Sequence, residues 1–497
     1  MPLTKDHFIN LKNGVFDATT KSDLDHLFTN FSADPRKPPL VIHFHGGLVS
    51  EPTGMKVANN LMPVYESAGG YPVFFVWESG LIEVLSHNLQ EIMQENIFQQ
   101  LLKKVTQFAV AKLKQPMGTR GSGYMKLPTE SEVKSELSGR NPYASLDVVM
   151  LPPDEVLQSI EEQQFKERLE LDPGLEVEIN KIANSFRPED EVNADHIATR
   201  GLNVRGSTHT WMSPDLINEI RKEESATGGS RGIITSALIV KHAITVLKRF
   251  VVRWASGRHH GVYATLCEEL FREFYLAHAG GVIWSAMKKD TEDAFQSNPE
   301  EFGGTAFLEG IKKYWQEGIH PRIILIGHST GAVYICNLLK FAEQRLPPEI
   351  KFDVAFLAPA CTFDMLAGTL KTAAGRINGI RSFAMKDELE KADHVVPKLP
   401  IIYPHSLLYF VSGVVEDEAD KPIVGMQRFF TGAKPFNSDR FPSVQECRSF
   451  FGQKPDRTIW SVQSSGKGCN SRSKHHTDFD EDPDTLESLS HIISQGL

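Results

Sequence analysis

Residues 321–331, PRIILIGHSTG, restrict the possible folds more than any other stretch of this 497-residue chain. The run 321–326 is short, apolar and β-branched. It passes at once into Gly327-His328-Ser329-Thr330-Gly331, and the AVYICNLLKFAEQRL that follows has the apolar spacing of a helix. A buried strand that hands over to a helix within five residues belongs to a parallel sheet whose faces are covered by crossover helices. Runs of the same kind lie at 39–44 (PLVIHF), 71–77 (YPVFFVW), 351–357 (KFDVAFL), 380–385 and 406–412 (SLLYFVS). Six such segments alternating with helical stretches predict an α/β fold built on a doubly wound, mostly parallel sheet.

Their spacing is uneven. The second strand ends near Trp77 and the third begins only near Pro321. Helical patterns fill the interval at 81–113, 154–185, 234–255 and 262–294, with a polar Gly- and Pro-containing segment at 114–145. A structureless loop of that length is unusual in a compact protein. The expected organisation is therefore a core in two parts, 1–85 and 256–497, interrupted by a large, mainly helical cap insertion at 86–255. Helices from about 260 to 316 are expected to pack back on the sheet.

Charge and cysteine content narrow the function. A net charge of -10 disfavours nucleic-acid binding, which needs a basic surface. The five cysteines are scattered and form no C-x-x-C pair, so neither a disulfide framework nor a structural zinc site is expected. That usage suits a reducing, cytoplasmic setting. The N-terminus shows no leader pattern. The stretch nearest to a membrane span, 232–255, is interrupted by Lys241, His242, Lys248 and Arg249, which suits a soluble or interfacial helix better. Its 234–255 portion is either a buried cap helix or a peripheral contact with a membrane surface.

The pattern around Ser329 has a physical logic. Side chains at Gly327 and Gly331 would collide across so tight a turn, and the turn holds the serine in a strained conformation with its hydroxyl exposed. The next helix aims its N-terminus at that hydroxyl and favours developing negative charge. A second signal, His45-Gly46-Gly47-Leu48, follows the first strand directly. An oxyanion needs two N–H donors. Thr330, the residue after the nucleophile, offers one, and Gly47 or Leu48 is placed to offer the other.

HGGL after one strand and GHSTG after a later one resemble the α/β-hydrolase superfamily of lipases, esterases and carboxylesterases. The resemblance covers roughly 38–80 and 260–495 and leaves the insertion out. It implies a nucleophile, an acid and a histidine in that chain order. The acid is expected in the loop after the fifth strand, where Asp387 is the choice and Glu388, Glu390 and Asp393 are rivals, with Asp364 one strand earlier. The histidine is expected near the C-terminus. His476 in His476-Thr477-Asp478-Phe479 matches a His-Gly-x-Phe pattern at His and Phe, with Thr477 in place of the glycine. His475 is the runner-up and His491 falls in a terminal helix.

The remaining signals read as structural. The run Asp478, Asp480, Asp482, Asp484 lacks the glycine and glutamate of a calcium loop; Asp482 suits an N-cap and Pro483 the first helical position. His328 is read as a residue packed behind the serine, and His259-His260 as surface. GSG at 121–123 lacks the lysine of a phosphate loop. The resemblance thus implies a serine hydrolase of lipid or small acyl esters, with no metal and no cofactor. Acyl transfer or phospholipid cleavage by the same residues, or a non-catalytic binding protein on the same fold, are the alternatives.

Overall fold

In a computed structural model, residues 3–47, 51–77, 88–89, 91–92, 95–113, 177, 211–227, 231–276, 280–395 and 403–497 are described. Eight strands form one sheet: β1 (Phe8–Lys12), β2 (Val15–Phe16), β3 (Leu40–Phe44), β4 (Tyr71–Trp77), β5 (Ile323–His328), β6 (Phe352–Leu357), β7 (Ile377–Met385) and β8 (Thr458–Ser461). Their spatial order is β2-β1-β4-β3-β5-β6-β7-β8. Within this sheet, among the described residues, only the β1–β2 pair is antiparallel. The protein is therefore of the α/β class, with a mostly parallel sheet.

Strand side chains alternate between two apolar layers. Leu40, Ile42, Phe44, Phe75, Leu325 and Phe356 enter one, beside the helices Lys21–Ala33, Gly303–Gln316, Gly331–Arg345 and Phe363–Ala373. Val41, Phe74, Ile324, Ile326 and Leu357 enter the other, beside the helices Glu51–Ser67 and Pro483–Gln495. Burial on both faces explains why the central strands read as unbroken hydrophobic runs.

The expectations at 39–44, 71–77, 321–326, 351–357 and 380–385 correspond to β3 through β7, within a few residues at their ends. The expected sixth strand at 406–412 is a correction. Leu407–Phe410 is a helical turn that widens into a π turn over Val411–Val415, and every side chain in it is buried. Periodicity cannot separate a buried strand from a buried helix in so short a run. Ser406 decides the matter locally, because its Oγ accepts the N–H of Tyr409 as an N-cap. The eighth strand is instead Thr458–Ser461, and β1 and β2 add an N-terminal edge that the sequence reading did not expect.

Within 86–255 the described elements are helical: Asn96–Leu113, Pro214–Thr227 and Arg231–Ala255. The expected helix at 154–185 and the segment 114–145 lie outside the described residues, apart from position 177. The expected helix at 262–294 is broken at Gly280, whose φ of 96° lies in the left-handed region. Phe98, Leu101, Leu216, Val240, Leu247 and Phe250 belong to the same continuous apolar cluster as the sheet.

Polar ties reinforce that packing. Arg253 is fully buried and donates to Asp420 at 2.8 and 2.7 Å, to Glu269 at 2.9 Å and to Glu268. Tyr403 donates to the other oxygen of Glu268, and His260 Nε2 lies 3.0 Å from Glu268 Oε2. His260 is therefore not a surface residue as expected, being 5% exposed. His259 stacks on Trp254 at 3.8 Å.

Candidate active site

The turn after β5 is built as its glycines require. A Cβ on Gly327 would lie 2.7 Å from the Gly331 backbone, and one on Gly331 would lie 2.2 Å from the carbonyl oxygen of Phe44. Ser329 has a φ of 51°, a conformation that non-glycine residues adopt at a cost of about 1–3 kcal/mol. Backbone bonds hold it there: its N–H donates to Leu357 O at 2.8 Å, and its carbonyl accepts from Ala360 at 2.9 Å and Ala332 at 3.1 Å. The strands on which the turn sits thus position the hydroxyl.

That hydroxyl meets His476, whose Nε2 lies 3.0 Å from Ser329 Oγ. The ring is buried, and burial first, then the charge of His328, lowers its pKa to about 3. His475, the runner-up, points away: its Nδ1 lies 3.0 Å from Asp393 and its side chain is 63% exposed. His491 is placed in the terminal helix.

Asp387 is not brought to His476, which corrects the expected acid. Its carboxylate accepts from Tyr409 OH at 2.6 Å and pairs with Lys391 Nζ at 3.1 Å, because it opens the short helix Asp387–Ala392 on the side facing Leu407–Phe410. Glu390 is buried against Ser406, and Asp364 pairs with Lys421 at 3.0 Å. Asp393 ends the short helix and faces the histidine loop. Its Oδ2 accepts the main-chain N–H of His476 at 2.9 Å and its Oδ1 meets His475. The Nδ1 of His476 has no hydrogen-bond partner among the described residues.

The elbow also presents donors. Among the described residues no backbone acceptor takes the N–H of Thr330 or of Gly47. A Cβ on Gly47 would lie 2.8 Å from Thr330 Cβ and 2.2 Å from Met287 Sδ, so only glycine lets this loop reach the elbow. Leu48, the other expected donor, lies outside the described residues. His45 fixes the loop: its Nε2 accepts the N–H of Trp77 at 3.1 Å and its ring stacks on Trp77 at 4.1 Å. A cavity of about 170 Å³ opens over the site, lined by His45, Gly46, Val57, Ser329 and His476 among others.

The acidic run near the C-terminus is spent on structure. Asp478 accepts the N–H groups of Lys474 and His475, both at 2.9 Å, and Asp482 caps the helix that Pro483 opens. Asp484 pairs with Arg472 at 2.7 Å. Asp480 reaches back to the elbow, 2.6 Å from His328 Nδ1, a contact no sequence pattern announced. Elsewhere among the described residues, His260, Glu268 and Asp420 bring potential metal-ligand atoms within 4.8 Å of one another. The Arg253 guanidinium already bonds both of those carboxylates, supplying the positive charge that a metal would bring.

Compared with protein-family models, with curated proteins and with solved structures, the chain matches none of them. Among the described residues no helix is long and apolar enough to cross a membrane.

Proposed function

We propose that this protein is a serine hydrolase of the α/β-hydrolase type that cleaves carboxylic esters, of lipids or small acyl alcohols, through an acyl-enzyme. The observation that carries the reading is the 3.0 Å contact between His476 Nε2 and a serine hydroxyl held at positive φ between a strand and a helix. The mostly parallel eight-stranded sheet with the nucleophile after a central strand supports it. Ser329 Oγ attacks the ester carbonyl while His476 takes its proton, and the N–H groups of Thr330 and Gly47 hold the oxyanion. His476 then protonates the departing alcohol. Water, deprotonated by the same ring, releases the acid.

Among the described residues no carboxylate bonds the ring of His476; Asp393, which accepts its main-chain N–H, holds the loop of the base in this scheme. Asp393→Ala should lower kcat/KM by about 10- to 100-fold, because the main-chain N–H of His476 loses its acceptor and the base shifts. Asp387→Asn should change kcat/KM less than about threefold, its losses being confined to Tyr409 and Lys391. Hydrolysis of p-nitrophenyl butyrate by the two variants checks the ranking, and the reverse order would give Asp387 the larger part in holding the base.

The overall reading is tested with a fluorophosphonate probe. Mass spectrometry should find the adduct on the peptide carrying Ser329. An unreactive protein, or an adduct confined to another residue, would refute the proposal.

The buried histidines give it a pH signature. The base works only when neutral, and a pKa of about 3 for His476 keeps it neutral far below the ordinary histidine range. Burial also brings His43, His45 and His260 down to about 4. Between an unfolded value of about 6.5 and these folded values, the unfolded chain binds protons that the folded chain refuses. Stability therefore falls as pH drops through that window, by up to about 1.4 kcal/mol per pH unit for each such ring. Activity should hold below pH 6.5 and disappear together with the thermal transition. A reversible acid limb near 6.5 in an intact fold, in parallel rate and melting measurements, would contradict this.

A further inference from the structure

We propose that His328 and Asp480 form a fixed imidazolium–carboxylate pair that positions the base His476 through its main chain. This deepens the hydrolase reading and rests on it. The two ring nitrogens of His328 face two acceptors. Nδ1 lies 2.6 Å from Asp480 Oδ2 and Nε2 lies 3.0 Å from the carbonyl oxygen of His476. A peptide carbonyl has no proton to give, so Nε2 must carry one. The 2.6 Å contact on the other side requires a second proton, and its length is that of a charge-assisted bond.

The surroundings put that second proton on the ring. His328 and Asp480 are 6% and 8% exposed, so water does little for either charge. Facing them are His43, whose Nε2 is 3.9 Å from Asp480 Oδ1, and the rings of His45 and His476. Burial works against both charges. Even so, Asp480 raises the pKa of His328, while His328, with His43 and His45, brings Asp480 down to about 2. The pair is neutral as a unit, which is how a charged ring can stand 5.4 Å from the base, centroid to centroid.

The role follows from what His476 lacks. Its ring Nδ1 has no partner among the described residues, so no bond to the far side of the imidazole orients it. Its peptide groups are gripped instead: Asp393 accepts the N–H at 2.9 Å and His328 donates to the carbonyl at 3.0 Å. Fixing the residue at both peptide groups sets where Cβ stands, and with it the reach of Nε2 to Ser329. A misplacement of about 1 Å at such a point costs on the order of 10² in rate. His328 and Asp480 are thus positioning residues.

The test compares fluorophosphonate labelling rates of wild type, His328→Phe, His328→Gln, Asp480→Asn and the His328→Phe/Asp480→Asn double variant. The Phe and Asn variants should each react about 10- to 100-fold more slowly. The double variant should be no slower than the worse single one, since both remove one unit. His328→Gln keeps a donor for the carbonyl and should recover part of the rate. Selective ¹⁵N-histidine NMR at a pH above the ordinary histidine range should show a doubly protonated ring that His328→Phe deletes and Asp480→Asn returns to the neutral form. A His328→Phe protein labelled at the wild-type rate overturns the positioning role, and so does a neutral His328 in the wild type. A wild type that never reacts with the probe overturns the hydrolase reading instead, leaving the NMR result to stand for the ion pair alone.

Discussion

Ser329→Ala should lose covalent labelling by a fluorophosphonate completely and lose ester hydrolysis by about 10⁴–10⁶-fold, the range expected when a unit of nucleophile and base is broken. The fold should not change. Among the described residues the hydroxyl makes one side-chain hydrogen bond, to His476, and the backbone bonds that hold residue 329 involve main-chain atoms. Alanine also meets the positive φ at a cost similar to serine, so melting temperature should stay within a degree or two of the parent. His476→Ala should be as damaging, with His475→Ala nearly silent because that ring faces outward. Residual activity after Ser329→Ala would come from the backbone donors and the cavity alone. Labelling of Ser329→Ala at the parent's rate would place the nucleophile elsewhere.

Arg253→Met should destabilise the protein by about 3–5 kcal/mol. The side chain is 2% exposed and its partners Glu268, Glu269 and Asp420 are at most 1% exposed. Methionine fills most of the volume but leaves three carboxylates facing one another without a cation. Burial already pushes the Glu269 carboxyl upward, with Arg253 the main opposing influence, so removing the guanidinium drives the cluster toward taking up protons. The loss should therefore be larger at pH 8 than at pH 6. Arg253→Lys retains the charge without the planar fork and should lie between the two. Urea unfolding followed by far-UV circular dichroism measures all three, and an unchanged midpoint for Arg253→Met would mean the cluster contributes nothing net.

The strands legible in the sequence were those buried on both faces. PLVIHF and YPVFFVW are uninterrupted and bounded by turn residues, so their strands are found to within a residue. The edge strands were missed for the opposite reason. FINLK and TIWS are short, and their mixed burial resembles any loop. SLLYFVS misled because the helical turn it forms is as fully buried as a strand, so its apolarity carried no period. Around Ser329 the glycines and His476 could be read because the close backbone approach leaves no room for a Cβ and the hydroxyl meets an imidazole. An acid could not be chosen, since Asp387, Glu388 and Glu390 stand on one short helix with Asp393 at its end, and among the described residues none of them bonds the ring of His476. The burial of His260 depended on Arg253 and Glu268, which no local pattern connects.

The central register has a cost during synthesis. Leu40 of β3 pairs with Ile323 of β5, roughly 280 residues later. At a ribosomal pace of about 5–20 residues per second, β3 waits on the order of 15–60 s for its neighbour to emerge. Throughout that interval β3 and β4 present an apolar, hydrogen-bond-hungry border to solvent or to any other nascent chain. Yield from a cell should therefore depend on holdase capacity and on the speed of translation across the intervening segment. Refolding from denaturant, where every strand is available at once, should escape that delay.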